Sequence, residues 1–121
     1  MSKVAIVLLS DPKTGAEESL GRLFNALAAV YDFKESGVAV KLIFQGTGTR
    51  WPEVLQNEEH PAYKVFKAVE DKVEGVSSAC ADVWGANPSG YDLITNNPLP
   101  NTSGISSYAK LIEEGYTVIN F

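Results

Sequence analysis

Two segments, residues 3–9 (KVAIVLL) and 38–44 (VAVKLIF), are apolar at nearly every position and rich in branched side chains. A strand with one wet face alternates apolar and polar residues. A run without alternation fits a strand buried on both faces, as in a parallel sheet covered by helices on each side. Shorter segments of strand character follow at residues 73–79, 93–95 and 116–121. Between them the apolar period changes to that of a helix. Leu20, Leu23, Phe24, Leu27 and Tyr31 form one expected buried stripe, and Ala62, Val65, Phe66 and Val69 a second. Thr14 and Glu17 have the spacing of a capping box, which starts the first helix there. Ser103 is the expected cap of a last helix with Ile105, Tyr108 and Ile112 facing inward, and Gly115 suits the left-handed position that ends it. Strands alternating with helices predict an α/β fold: a three-layer α/β/α sandwich with a mainly parallel sheet of about five strands. At 121 residues, the chain fits one domain, residues 1–121.

The totals narrow the function. Apolar residues make up 45% and charged residues 21%, the balance of a globular chain rather than a disordered one. A formal net charge of −5 argues against a general nucleic-acid binder and against attachment to an anionic membrane. No apolar run has the length of a membrane span. The first residues lack the longer apolar stretch and small-residue cleavage site of a signal peptide, so a cytoplasmic protein is expected. One cysteine and one histidine cannot form a tetrahedral metal site within one chain, and neither metal nor organic cofactor is expected.

The one cysteine, Cys80, follows the third expected strand in a run of small residues, GVSSACADVWG. This reading places it at the carboxyl end of a strand and the amino end of a helix. Open α/β sheets hold their ligand crevices at that edge, and helix-start N–H groups favour a thiolate. The competing reading is that Cys80 is a small buried hydrophobe. The charge of Asp82 would oppose a thiolate, depending on where it points. Other strand ends bring further candidates to the same edge: Ser10 and Asp11, Gln45 and Gly46, and Asn96 with Asn97.

Residues 46–50 (GTGTR) could cradle an anion, but they lack the Lys-Ser/Thr ending of a phosphate loop, and a flexible turn explains them as well. Lys13-Thr14-Gly15 faintly matches a flavin phosphate turn, and the capping box accounts for the same residues. His60, before Pro61, reads as an exposed helix-start residue. The pairs Glu58-Glu59 and Glu113-Glu114 read as solvated faces, and Trp51 and Trp84 as packing or interface residues.

The Cys80 segment with its following Trp84-Gly85 turn, the Ser106-Ser107-Tyr108 helix start and the ending EGYTVINF together resemble the DsrE/DsrF-like family of small sulfur-relay proteins. The resemblance covers essentially the whole chain. It implies a cytoplasmic α/β/α sandwich assembled as a homo-oligomer, a trimer or hexamer. It also implies a cysteine, here Cys80, that takes up sulfur as a persulfide and passes it to the thiol of a partner protein. The resemblance carries over Cys80 alone as the sulfur acceptor; the strand ends add Ser10, Asp11, Gln45, Gly46 and Asn96 as the residues expected around the substrate. Two rivals stand beside it: a non-catalytic oligomeric binding module with Cys80 buried, and a flavin-binding electron carrier.

Overall fold

The computed structural model describes residues 2–121. Five strands, β1 (Lys3–Leu8), β2 (Ala39–Phe44), β3 (Val73–Ser77), β4 (Leu93–Ile94) and β5 (Tyr116–Asn120), form one sheet in the order β4-β3-β2-β1-β5. Every pairing is parallel. The central strand β1 lies between β2 and β5, with Ile6 opposite Leu42 on one side and Ile119 on the other. Its residues from Val4 to Leu8 are all buried, as its unbroken apolar run requires.

Alternate side chains sort the two faces. Val4, Ile6, Leu8, Val40, Leu42, Phe44 and Val76 pack against α1 (Glu17–Glu35) and α3 (Tyr63–Val69), joined by Trp51 of α2 (Trp51–Val54). Ala5, Val7, Ile43 and Ile94 face the other way, against Leu111 of α5 (Tyr108–Glu113). The second face thus carries one six-residue helix, while the first carries most of the core. No helix is long and apolar enough to cross a membrane among the described residues.

Four local expectations are corrected. The capping box of Thr14 and Glu17 does not form. Gly15 sits at φ +64°, a left-handed conformation that interrupts any helix between them. Instead Asp11 caps a separate turn, Pro12–Thr14, by accepting from the Lys13 N–H at 2.9 Å, and α1 begins at Glu17 without a side-chain cap. Residues 46–50 are a 3-10 helix rather than a flexible turn. A Cβ on Gly48 would lie 2.0 Å from the Leu8 carbonyl oxygen, so this glycine lets the loop press onto β1.

The last helix starts later than expected. Ser107, not Ser103, caps it by accepting from the Lys110 N–H at 3.1 Å. Its phase shifts accordingly: Leu111 faces inward, Ile112 is 60% exposed and Tyr108 stands at the rim. Tyr31, in α1, is also exposed rather than part of the buried stripe.

Candidate functional site

The carboxyl edge of the sheet gathers the chemistry. β3 ends at Ser77, and α4 (Ser78–Trp84) starts at the next residue. Ser77 is the N-cap, its Oγ accepting from the Cys80 N–H at 3.3 Å. Short polar side chains favour this position because they satisfy a helix-start donor, and so the strand gives way to helix here. Gly75 serves the approach of the neighbouring strand: a Cβ there would lie 2.6 Å from the Asp92 carbonyl oxygen.

Connections leaving β1 and β2 run to the first face. The one leaving β3 does too, since Ala81 of α4 joins that core, whereas the connection leaving β4 runs to α5 on the second face. Neighbouring strands whose connections part in this way open the crevice in which α/β sheets hold ligands. Cys80 stands at this reversal, between β3 and β4.

Cys80 is buried, with 7% of its surface exposed. A segment arriving from β4 docks onto its helix. The Gly104 carbonyl oxygen accepts from the Ala79 N–H at 2.8 Å and from Ser77 Oγ at 2.8 Å. Ser78 Oγ donates to the Ile94 carbonyl oxygen at 2.9 Å. The N–H groups of Ala79 and Cys80, expected from sequence to support a thiolate, therefore already have partners within the protein.

Gln45 anchors the next part of that segment. Its own N–H donates to Leu8, and its Oε1 accepts from the Ser106 N–H at 3.1 Å. Its Nε2 donates to Tyr108 Oη at 3.4 Å, and Tyr108 Oη donates to Asn120 Oδ1 at 3.0 Å. Burial pushes the Tyr108 hydroxyl pKa up, negative charge at Cys80 pushes it further, and the bond from Gln45 pulls it back.

The sequence matches the DsrE/DsrF-like family over residues 2–121. The chain belongs to the DsrE/DsrF-like family. No match is found among curated proteins or among solved structures.

In this DsrE/DsrF-like protein the expected site residues fall into three groups. Gln45 holds the segment docked on the Cys80 helix, through Ser106, and bonds Tyr108, with Gly46 next to it starting the 3-10 turn. Ser10 and Asp11 belong to a separate cluster: Trp51 Nε1 donates to the Ser10 carbonyl oxygen at 2.8 Å, and Arg50 pairs with Asp11 at 2.8 Å. Burial would raise the Asp11 carboxyl pKa, but the Lys13 N–H and the Arg50 guanidinium outweigh it and hold the group below its ordinary range. Asn96 takes a third position, lining a groove of about 180 Å³ on the second face with Lys41, Ser106 and Lys110.

Asp82 accepts from Ser103 Oγ at 2.9 Å, which anchors its exposed carboxylate to the loop before Gly104. His60 is half-buried and accepts from the Ala62 N–H at 3.0 Å, and burial lowers its pKa. Among the described residues no cluster of three His, Cys, Asp or Glu side chains could hold a metal.

Tyr108, Asn120, Ser106 and Gly104 join the hydrogen-bond network at this edge and were not among the residues expected there. Tyr108 was assigned to the core stripe of its helix and Asn120 to a strand. The available signal was the Ser106-Ser107-Tyr108 run itself, a poor core pattern but a good helix start.

Proposed function

We propose that this protein is a sulfur-relay protein that carries sulfane sulfur as a persulfide on Cys80. Membership of the DsrE/DsrF-like family points to a sulfur-relay role. The observation that carries the finer reading is the position of the chain's one cysteine, at the end of β3 and the start of α4, where the connections reverse.

The chemistry is thiol exchange. The Cys80 thiolate attacks the outer sulfur of a donor persulfide, forming a new S–S bond as the donor's S–S bond breaks and the donor leaves as a thiolate. A partner protein's thiolate then attacks the outer sulfur, and Cys80 leaves as a thiolate. No net oxidation occurs and no cofactor takes part. A chain with one cysteine cannot expel its sulfur by forming an internal disulfide, so release needs an external thiol.

In this reading the protein works in the cytoplasm as a homo-oligomer. β5 pairs only with β1 and β4 only with β3, which leaves both sheet edges unpaired among the described residues, and unpaired edges invite partners. On the thinly covered second face, the Lys3 and Lys41 ammonium groups lie 4.5 and 4.3 Å from the centre of the Tyr116 ring. The burial of Cys80 favours one competing reading, a non-catalytic oligomeric module.

Intact-mass measurement after exposure to a small-molecule persulfide separates the two. The relay reading expects the mass of one added sulfur atom per chain, removed by reductant and absent in Cys80→Ala. A wild-type protein that gains no sulfur ends the relay reading.

A further inference from the structure

The Asp11 and Arg50 pair borders a pocket that the hydrogen bonds around Cys80 do not use. Three neighbouring strands feed it. Pro12 and Lys13 come from the segment after β1, Arg50, Glu53 and Val54 from the segment after β2, and Trp84 and Ala86 from the end of α4 after β3. Its volume is about 250 Å³. That is below the roughly 300–1,000 Å³ of pockets for drug-sized molecules, so a fitting occupant is small.

Arg50 is prepared for an anion. Its side chain is 18% exposed, and Nη1 donates to Asp11 Oδ2 at 2.8 Å. Asp11 is itself fixed by the Lys13 N–H at 2.9 Å. Nη2 has only a long bond, 3.4 Å, to the Trp84 carbonyl oxygen. A guanidinium carries a donor on Nε and a pair on each Nη. Here Nε is buried with no partner, and one hydrogen on each Nη is left for a ligand. Lys13 is exposed and makes no ion pair among the described residues. Glu53, also exposed, brings a carboxylate to the lining. Two cations against one carboxylate suit a monoanion better than a phosphate group, which approaches two charges.

The rest of the lining is apolar. Pro12, Val54 and Ala86 meet Trp84, which is 40% exposed although large aromatic side chains are mostly covered. An indole is a flat partner on which a planar ring packs well.

We infer that this pocket binds a small aromatic carboxylate. Its carboxylate takes the spare Arg50 Nη hydrogens and the Lys13 ammonium, and its ring packs on Trp84 and Pro12. The inference does not rest on the sulfur-relay reading.

Benzoate, titrated into isotope-labelled protein and followed by nitrogen–proton correlation spectra, tests it. The chain has two indole N–H signals. Trp51 is buried with its Nε1 bonded to Ser10, whereas Trp84 lines the pocket. Benzoate should shift the Trp84 signal with an affinity on the order of millimolar, in keeping with so small a ligand, and leave the Trp51 signal in place. Benzamide lacks the charge and cyclohexanecarboxylate the flat ring, and each should bind roughly threefold or more weakly. Lys13→Gln should weaken benzoate by roughly threefold, and Glu53→Gln should tighten it by a similar factor. Both side chains are exposed, so these variants keep the test independent of folding, whereas Arg50→Gln also strips Asp11 of its partner. The inference is overturned by a Trp84 signal that stays put at about 50 mM benzoate, well above such an affinity. It is equally overturned if either control ligand binds as well as benzoate, or if both variants leave the affinity unchanged. A Trp84 shift in a protein that gains no sulfur sinks the relay reading alone, and a protein that loads sulfur but ignores benzoate sinks this inference alone.

Discussion

Gly104→Ala reaches the site without touching the thiol. A Cβ at this position would lie 2.3 Å from the Ile94 carbonyl oxygen, 2.5 Å from Thr95 Cα and 2.6 Å from Ser78 Oγ. Two of these are backbone atoms that cannot swing aside, so the segment must lift from α4. Overpacking of this kind costs about 1–3 kcal/mol. Lifting also weakens the 2.8 Å bonds that the Gly104 oxygen accepts from the Ala79 N–H and Ser77 Oγ, each worth about 1 kcal/mol net. The sum is roughly 2–4 kcal/mol. With a urea slope of about 1.5 kcal/mol per molar for a chain of this size, the unfolding midpoint should fall by roughly 1–3 M. Cys80 should alkylate faster in the folded variant, because the chain docked on its helix has moved. A midpoint within about 0.3 M of wild type refutes the docking argument, since that change is only about 0.5 kcal/mol at this slope.

Three further outcomes follow from the same structure. Cys80→Ala should cost less than ~2 kcal/mol in urea unfolding, below the usual range for truncating a core side chain; a larger loss makes the cysteine structural. Tyr91→Phe should flatten the dependence of stability on pH at both ends. The bond from Tyr91 is the largest cause holding the Glu70 carboxyl below its ordinary 4.5, and that stability is lost as pH falls through the lowered value. Burial first, and then Glu70, push Tyr91 up to about 12 from 10.0, and that contribution is lost as pH rises through the raised value. Urea midpoints between about pH 3 and 5 test the acid limb, and an acid limb unchanged in the variant contradicts the assignment. Light scattering at micromolar concentration should give a mass well above the 13.1 kDa of one chain, and a clean monomer removes the oligomer from the proposal.

The sheet was legible because its signals are local. Unbroken apolar runs placed β1 and β2 to within one residue at their ends, and the switch to helical period placed α1 and α3. The order of the strands was not readable, because it depends on which way each connection crosses. The carboxyl ends carrying Gln45 and Cys80 came from strand position alone, and the structure connects them through the segment at residues 104–106, which bonds both Gln45 and the first turn of α4. Ser10 and Asp11 shared the edge in sequence reasoning yet belong with Trp51 and Arg50, since side-chain direction at a strand end is settled by packing. Tyr108 escaped notice because the phase of α5 is fixed by a tertiary event, the docking of residues 104–106 on α4 and Gln45. The early start of α4 was in principle visible in Ser77, a good N-cap inside what read as strand.

The central claim is that Cys80 holds sulfur and gives it only to another thiol. Loading the protein with a small-molecule persulfide, removing the donor and following the intact mass over time tests this most directly. The mass of one extra sulfur per chain should persist while no thiol is present, return to the starting value when one is added, and reappear on the added thiol as a persulfide. A protein that never gains the sulfur, gains it equally in Cys80→Ala, or loses it without an acceptor contradicts the account.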